Sequence, residues 1–197
     1  MLIKRIFDFI AAFLGLILLL PVFAATALMI RLDSPGPVFF RQDRVGRFGV
    51  LFKILKFRTM VVDAEARGQI TVGRDPRVTR VGEALRRYKI DELPQLVNVL
   101  RGEMSLVGPR PEVPRYVACY PEAVREMVLS VPPGITDWAS IEFKEESLIL
   151  ARAIDPEHSY IEEILPVKLN YCVRYVKERG FLVDLKIIFS TLFAIAR

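Results

Sequence analysis

"FIAAFLGLILLLPVFAATALMI", residues 9–30, decides the fold, because it places 22 consecutive uncharged residues near the start of a chain otherwise rich in charge. The chain has 197 residues, of which 26% are charged, and this run accounts for much of its high mean hydropathy of +0.32. Twenty-two helical residues at about 1.5 Å each reach about 33 Å, close to the thickness of a bilayer core. The pattern predicts one globular domain with one membrane element.

Pro21 divides this run into two halves. A proline inside a helix removes the hydrogen bond to the carbonyl of Ile17 and bends the helix, and each half alone is too short to cross a core of about 30 Å. Lys4 and Arg5 precede the run and arginines follow it from Arg31 onward, so a spanning helix would leave one basic end on the translocated side. We therefore predict a re-entrant helix that bends at Pro21 and returns to the cytoplasmic face.

Two alternatives compete with re-entry. A kinked spanning helix is one, since transmembrane helices tolerate proline. A cleaved signal peptide is disfavoured, because the run is longer than the apolar region of a usual signal peptide and no convincing small-x-small cleavage site precedes the charged part. The prediction divides the chain into a membrane helix, residues 1–33, and a domain on the cytoplasmic face, residues 34–197.

The remaining elements predict an α/β fold, mostly helical with one small hairpin. Residues 38–41 and 50–57 are β-rich runs around a basic turn, residues 41–47, which either contacts lipid headgroups or is solvated. "VPPGIT" is typical of a turn, and "DWASIEF" favours a strand. The C-terminal "FLVDLKIIFSTLFAIAR" is too polar to span, and as a helix it either lies in the membrane interface or caps the core. Further helices are predicted at 79–89, from Asp91 or Glu92 to Gly102, and at 114–119, 121–129, 144–153 and 166–179.

Charge is unevenly distributed along the chain. Residues 1–111 carry 18 basic and 10 acidic side chains, whereas the remainder is net acidic. The first half therefore favours an anionic partner, and its basic residues are interleaved with apolar ones rather than forming the stripe with aromatics that nucleic acid requires. Two cysteines indicate no disulfide framework, and the single His158 excludes a His-rich zinc site, so a metal here would be a hard, oxygen-liganded ion.

Two adjacent carboxylates, Asp91 and Glu92, lie in "YKIDELPQLVNVLRGEMSLVGPRPE", residues 88–112. They are either an ordinary helix N-cap or an ionised pair that could act as a nucleophile and hold Mg²⁺. The basic side chains around them exceed what two acids need, which suits a bound diphosphate. Prolines on both sides of Arg110 fix the backbone there and orient its guanidinium. The candidate phosphate-binding residues are Lys56, Arg58, Arg77, Arg86, Arg87 and Arg110.

Several motifs together resemble the bacterial sugar transferase family, the monotopic phosphoglycosyl transferases. They are "KRIFDFIAAFLGLILLLP", "LKFRTM", "DPRVTRVGEALRRYKIDELPQLVNVLRGEMSLVGPRP", "VPPGIT" and "YVKERGFLVDLKIIFSTL", which cover nearly the whole chain. Without the additional N-terminal membrane helices of larger members, the chain resembles the small, single-domain type. The resemblance implies a membrane protein of the bacterial inner membrane, with a re-entrant helix and a catalytic domain on the cytoplasmic face.

The resemblance also implies a reaction. The donor would be a UDP-sugar, the cofactor Mg²⁺ and the acceptor a polyprenyl phosphate, and the product would start a lipid-linked glycan. Asp91 would attack the β-phosphorus and expel UMP, and Glu92 would help to hold Mg²⁺ and assist the acceptor. The arginine between two prolines in the family motif falls on Arg110, and the basic residues before the acidic pair fall on Arg86 and Arg87.

The chain departs from the family pattern at three places. Leu20-Pro21 stands where Ser-Pro is common, Lys89-Ile90 where Ser-Leu is frequent, and "PGITDWASIEF" where "PGITGWAQV" is usual. The last difference leaves the identity of the sugar open. Two other functions also fit the charge and the membrane anchor: a basic adaptor that binds anionic lipid without turnover, and a direct glycosyltransferase that releases UDP.

Overall fold

A computed structural model describes residues 2–64, 68 and 70–196. The N-terminal run forms two helices, α1 (Leu2–Leu18) and α2 (Leu20–Asp33), with a 61° bend between them. Pro21 lies in the first turn of α2, so the predicted kink is confirmed. Within the described ranges no helix is by itself long and apolar enough to cross a membrane, whereas α1 and α2 taken together meet that requirement.

The predicted hairpin is confirmed. Strand β1 (Phe39–Val45) pairs antiparallel with β2 (Leu51–Phe57), and Phe39 lies opposite Phe57. The first strand is longer than predicted, so Arg41 and Arg44 lie in the ladder instead of in a basic loop. The turn is shorter in consequence, with Phe48 in the left-handed region at a φ of 59°.

A second, parallel pair corrects two predictions. Strand β3 (Ser105–Val107) lies beside β4 (Gly134–Thr136), so "VPPGIT" ends in a strand rather than being only a turn. Residues 138–142 form a helix instead of the predicted strand, because the Asp137 carboxylate caps it by accepting a 2.7 Å hydrogen bond from the amide of Ser140. Both corrections concern the end of the molecule that carries Arg110.

The remaining helices largely follow the prediction, with shorter bounds. The helix over Gln95–Arg101, α4, ends before Gly102, whose φ of 84° is the left-handed geometry that ends helices. Short one-turn segments cover Arg47–Gly49, Ile90–Glu92 and Tyr160–Ile164. The helices are α3 (Arg80–Arg87), α4 (Gln95–Arg101), α5 (Pro114–Val117), α6 (Glu122–Leu129), α7 (Trp138–Glu142), α8 (Glu146–Leu150), α9 (Pro156–Ser159), α10 (Leu165–Glu178) and α11 (Phe181–Ala196).

Both ends of the α1–α2 pair make polar contacts with the rest of the fold. At the start of α1, Lys4 Nζ lies 2.7 Å from Asp184 Oδ2 in α11, and Arg5 donates to two carbonyls at the end of α4. At the end of α2, the Asp33 carboxylate accepts a 3.0 Å hydrogen bond from the amide of Val81, in the first turn of α3. Arg58 then binds the two carbonyls that follow α2.

Helix α11 caps the core, as one of the two predicted alternatives stated. Ile187 is fully buried with Val107 and Tyr175. The opposite face carries large apolar side chains, among them Leu182 and Phe193, which are 79% and 75% exposed.

Candidate active site

The acidic pair lies in a short connection between two helices. Helix α3 ends at Arg87, Lys89 adopts a left-handed conformation with a φ of 55°, and residues 90–92 form a single 3₁₀ turn. Helix α4 begins only at Gln95, and neither it nor the 3₁₀ turn has a side-chain cap. The expectation that Asp91 or Glu92 starts and caps a helix is therefore wrong. Both carboxylates are buried, each with 7% of its surface exposed.

Glu92 is held by two cations. Arg110 donates from Nη1 to Oε2 at 3.1 Å and from Nη2 to Oε1, and Lys56 Nζ lies 3.0 Å from Oε1. Burial acts to raise the pKa of Glu92, but the attraction of Arg110 and Lys56 outweighs it and holds that pKa well below its ordinary value. Glu92 is therefore a fixed negative charge, and it in turn raises the pKa of Arg110.

Asp91 has the opposite environment. Its Oδ1 atom is buried without a hydrogen-bond partner. Burial, followed by repulsion from Glu92, raises the pKa of Asp91, although Lys56 and Lys89 partly offset this rise. A carboxylate oxygen that is unpaired and more basic than usual is suited to attack an electrophile or to bind a cation.

Arg86 lies close enough to Asp91 for the two charges to attract. Its Nε donates to Thr59 Oγ1 at 2.9 Å, and Nη1 lies 3.3 Å from Thr71 Oγ1. Burial lowers the pKa of Arg86, while attraction to Asp91 works against that change. The structure thus brings together five predicted residues: Asp91, Glu92, Lys56, Arg86 and Arg110.

The other three predicted cations face elsewhere. Arg58 is buried and donates to the carbonyls of Ser34 and Pro35 at 2.8 Å and 2.6 Å. Every nitrogen of the Arg77 guanidinium is bonded to Asp75 or to a loop carbonyl. Arg87 is exposed, with its guanidinium carbon 5.6 Å from the centre of the Tyr88 ring. Arg58 and Arg77 therefore have structural contacts in place of a free anion site.

Tertiary contacts add residues that sequence reasoning missed. Arg44 Nη1 donates to the carbonyl of Pro111 at 2.9 Å and lies 3.5 Å from Glu112 Oε2. Glu112 also accepts a 2.6 Å hydrogen bond from the hydroxyl of Tyr160. Asp137 contacts the backbone of Arg110. These contacts join segments that are distant in the sequence, so no local sequence pattern predicts them. Only Glu112 could have been suspected, because it lies two residues after Arg110.

The acidic pair suits a metal that arrives with a phosphate ligand. No group of three or more His, Cys, Asp or Glu side chains clusters among residues 2–64, 68 and 70–196. Asp91 offers an unpaired oxygen, whereas both oxygens of Glu92 already bind cations. Mg²⁺ commonly binds one or two carboxylates together with water and substrate phosphates. The residues therefore fit Mg²⁺ carried by a diphosphate better than an all-protein metal cage.

Comparison with known proteins places these residues in a wider context. The family model described as "Bacterial sugar transferase" matches residues 1–197. The UDP-N-acetylgalactosamine-undecaprenyl-phosphate N-acetylgalactosaminephosphotransferase of Aeromonas hydrophila is 39% identical over 193 residues, covering 96% of this chain and 43% of that protein. The UDP-glucose:undecaprenyl-phosphate glucose-1-phosphate transferase of Escherichia coli is 39% identical over 196 residues, covering 98% and 40%.

The chain thus spans less than half the length of these two curated relatives. A shorter relative, the sugar transferase EpsL of Bacillus subtilis, is 38% identical over 191 residues, which cover 97% of this chain and 86% of EpsL.

Proposed function

The chain belongs to the bacterial sugar transferase family, and from that premise we propose that it transfers a sugar-1-phosphate from a UDP-sugar to polyprenyl phosphate. The polyprenol would be undecaprenol, as in the names of the relatives, and the product would start a lipid-linked glycan. One observation carries the proposal: a buried, unpaired oxygen of Asp91 lies next to a carboxylate that two cations hold ionised.

The proposed reaction has two displacements at one phosphorus atom. An oxygen of Asp91 attacks the β-phosphorus of the UDP-sugar, the bond from that phosphorus to the bridging oxygen breaks, and UMP leaves. An oxygen of polyprenyl phosphate then attacks the same phosphorus, the bond to Asp91 breaks, and polyprenyl-diphospho-sugar is released. The covalent intermediate lets a soluble donor and a lipid acceptor react one after the other at a single site.

The surrounding cations would bind the donor. Arg86 and Lys56 lie near the acidic pair, and Arg110 is oriented by Glu92, so these guanidinium and ammonium groups would contact a diphosphate bound there. Asp91, with Glu92 beside it, would hold Mg²⁺, which when bound neutralises phosphate charge. Glu92 keeps Arg110 and Lys56 in place before the donor arrives, which reduces the reorganisation needed at the phosphorus.

We propose that α1 and α2 form a re-entrant element in the inner membrane. Because Lys4 at one end and Asp33 at the other bond to the same domain, both ends of the pair lie on the side of that domain. The exposed apolar face of α11 would lie in the adjacent interface and provide further lipid contact. The site would then face the cytoplasm, where a UDP-sugar is available.

A single-turnover assay tests the reaction. Purified protein mixed with UDP-sugar and Mg²⁺, without acceptor, should release nearly one UMP per protein, and Asp91→Asn should release none. Asp43→Asn, which alters an exposed carboxylate paired with Lys53, serves as the matched control and should keep the burst. When polyprenyl phosphate is then added, release of UDP in place of UMP would indicate direct glycosyl transfer, and lipid binding without nucleotide release would indicate an adaptor. Either result would contradict the proposal.

A further inference from the structure

The two parallel strands bring Asp137 beside the arginine of the active site. Asp137 directly follows β4, and the segment Pro109–Arg110–Pro111 comes shortly after β3. Because the two strands run parallel, their carboxyl ends lie at the same edge. The amide of Gly108 donates to the carbonyl of Thr136 at 3.1 Å, which continues the pairing to that edge.

Asp137 is fully engaged and almost inaccessible, with 1% of its surface exposed. One oxygen, Oδ1, accepts the amide of Ser140 at 2.7 Å and caps α7. The other oxygen, Oδ2, accepts the amide of Arg110 at 3.2 Å, and the buried thiol of Cys172 lies 3.9 Å from it. The single carboxylate thereby connects the start of α7 to the backbone of the arginine.

The chemistry of the arginine segment makes this contact unusual. Proline has no amide hydrogen, so Arg110 supplies the only backbone donor within Pro109–Arg110–Pro111. The amide of Arg110 donates a hydrogen bond to Asp137, while the guanidinium of the same residue donates to Glu92. Arg110 is thus held at both ends, by one carboxylate on its backbone and by another on its side chain.

We propose that Asp137 is a positioning residue that fixes Arg110 for the donor diphosphate. The inference rests on the proposed function, because it assigns Arg110 the diphosphate as its ligand. Fixing the backbone reduces the freedom of the guanidinium, so donor binding costs less ordering.

A double-mutant cycle tests whether Asp137 acts through Arg110. The amides of Ser140 and Arg110 donate to different oxygens of Asp137, so Asp137→Asn turns an NH2 donor toward one of these two amides and loses that hydrogen bond. We expect roughly tenfold weaker UDP binding, measured by calorimetry with Mg²⁺, and a similar loss in the rate of the UMP burst, as for loss of a hydrogen bond to a charged group. In an Arg110→Ala background the same change should cost less than about twofold, because the positioned group is absent.

Asp155→Asn is the matched control. Asp155 is exposed and caps α9 by accepting the amides of Glu157 and His158, both at 3.1 Å, so its contacts lie within its own helix and away from Arg110. It should leave UDP binding and the burst unchanged. Asp137→Gly, which removes the side-chain acceptor altogether, repeats the cycle if Asp137→Asn does not fold, as judged by circular dichroism.

The outcomes separate the two proposals. An equal loss on Asp137→Asn with and without Arg110 would overturn the positioning role. A wild-type protein that binds UDP without releasing UMP would contradict the proposed reaction, while the binding cycle would still decide the role of Asp137. Absence of UDP binding by the wild type would overturn both.

Discussion

Asp91 and Glu92 are adjacent and equally buried, but their surroundings act on them in opposite directions. Glu92 has Arg110 and Lys56 as direct partners, whereas Oδ1 of Asp91 has none. The fold therefore stabilises one charge and tolerates the other at a cost. Functional groups often lower the stability of the folded state, and here the destabilisation arises at one buried oxygen, Oδ1 of Asp91.

Replacing Asp91 by Asn should stabilise the protein. Burial raises the pKa of Asp91, so the folded state binds the proton of this carboxyl group more tightly than the unfolded state does. The stabilisation from that proton is present at low pH and is lost as pH rises through the folded-state pKa. The neutral amide avoids that loss, so the gain should be about 0.5–2 kcal/mol at pH 7.5. Thermal unfolding at pH 4 and pH 7.5 measures it, and the difference from wild type should widen with pH. A lower melting temperature than wild type at pH 7.5 would contradict the assignment.

Replacing Glu92 by Gln should have the opposite effect. Burial acts to raise the pKa of Glu92, but Arg110 and Lys56 lower it overall, so its stabilisation is present at neutral pH and is lost as pH falls through the folded-state pKa. Glutamine leaves two partly buried cations without their anion, which costs about 3 kcal/mol. Denaturant unfolding at pH 7.5 measures this cost.

Asp43→Asn is the control for that measurement, because it removes an ion pair whose side chains are 51% and 61% exposed. It should cost less than about 1 kcal/mol. Similar losses in the two variants would show that Glu92 is not held as described.

Sequence reasoning identified the acidic pair and three of its cations, but it could not rank the basic residues. Arg58 and Arg77 have the same chemistry as Arg86, yet their guanidiniums bind loop carbonyls. Which cation is left for a ligand depends on where loops pass in the folded chain, and the local sequence does not encode that. Asp137 escaped notice for the same reason, since its partner is 27 residues away.

Among the elements, the parallel pair β3–β4 has a very close backbone approach. A Cβ atom on Gly134 would lie 2.0 Å from the amide nitrogen of Gly108. Gly134→Ala should therefore separate the strands, displace Arg110 and cost more than about 4 kcal/mol, or prevent folding. Expression level and thermal unfolding test this.

Gly15→Ala is the matched change, because the added methyl lies at ordinary contact distance, 3.5 Å from Leu96 Cδ1, inside α1. It should be neutral or stabilising by about 0.5–1 kcal/mol, as alanine favours helix. If both variants behave alike, the strands do not approach as closely as described.

Local signals predicted the hairpin and most helices because apolar periodicity and turn residues are read within a few positions. The parallel pair was missed because its strands are three residues each and are stabilised by a partner far along the chain. Helix α7 was read as a strand because "DWASIEF" has β-rich composition, whereas Asp137 acts as an N-cap and starts a helix.

At the scale of the whole molecule, the contacts at both ends of α1–α2 constrain how the proposed membrane element could lie in a bilayer. Lys4 bonds to Asp184 and Asp33 bonds to the amide of Val81, and all of these groups belong to one packed domain. A spanning arrangement would have to break the contacts at one end and leave Asp184 without its lysine. A re-entrant arrangement keeps all of them.

Cysteine labelling at the start of α1 tests this topology. Ile3 is 78% exposed, and Cys119 is an exposed native thiol on the catalytic domain, whereas Cys172 is buried. In an Ile3→Cys, Cys119→Ser variant, an impermeant maleimide should not label intact cells and should label inverted membrane vesicles, as it labels Cys119 in the unaltered protein. The Lys4–Asp184 contact requires the start of α1 to lie beside the catalytic domain. If this variant were labelled in intact cells in which Cys119 of the unaltered protein stays unlabelled, the helix would span the membrane and re-entry would be excluded.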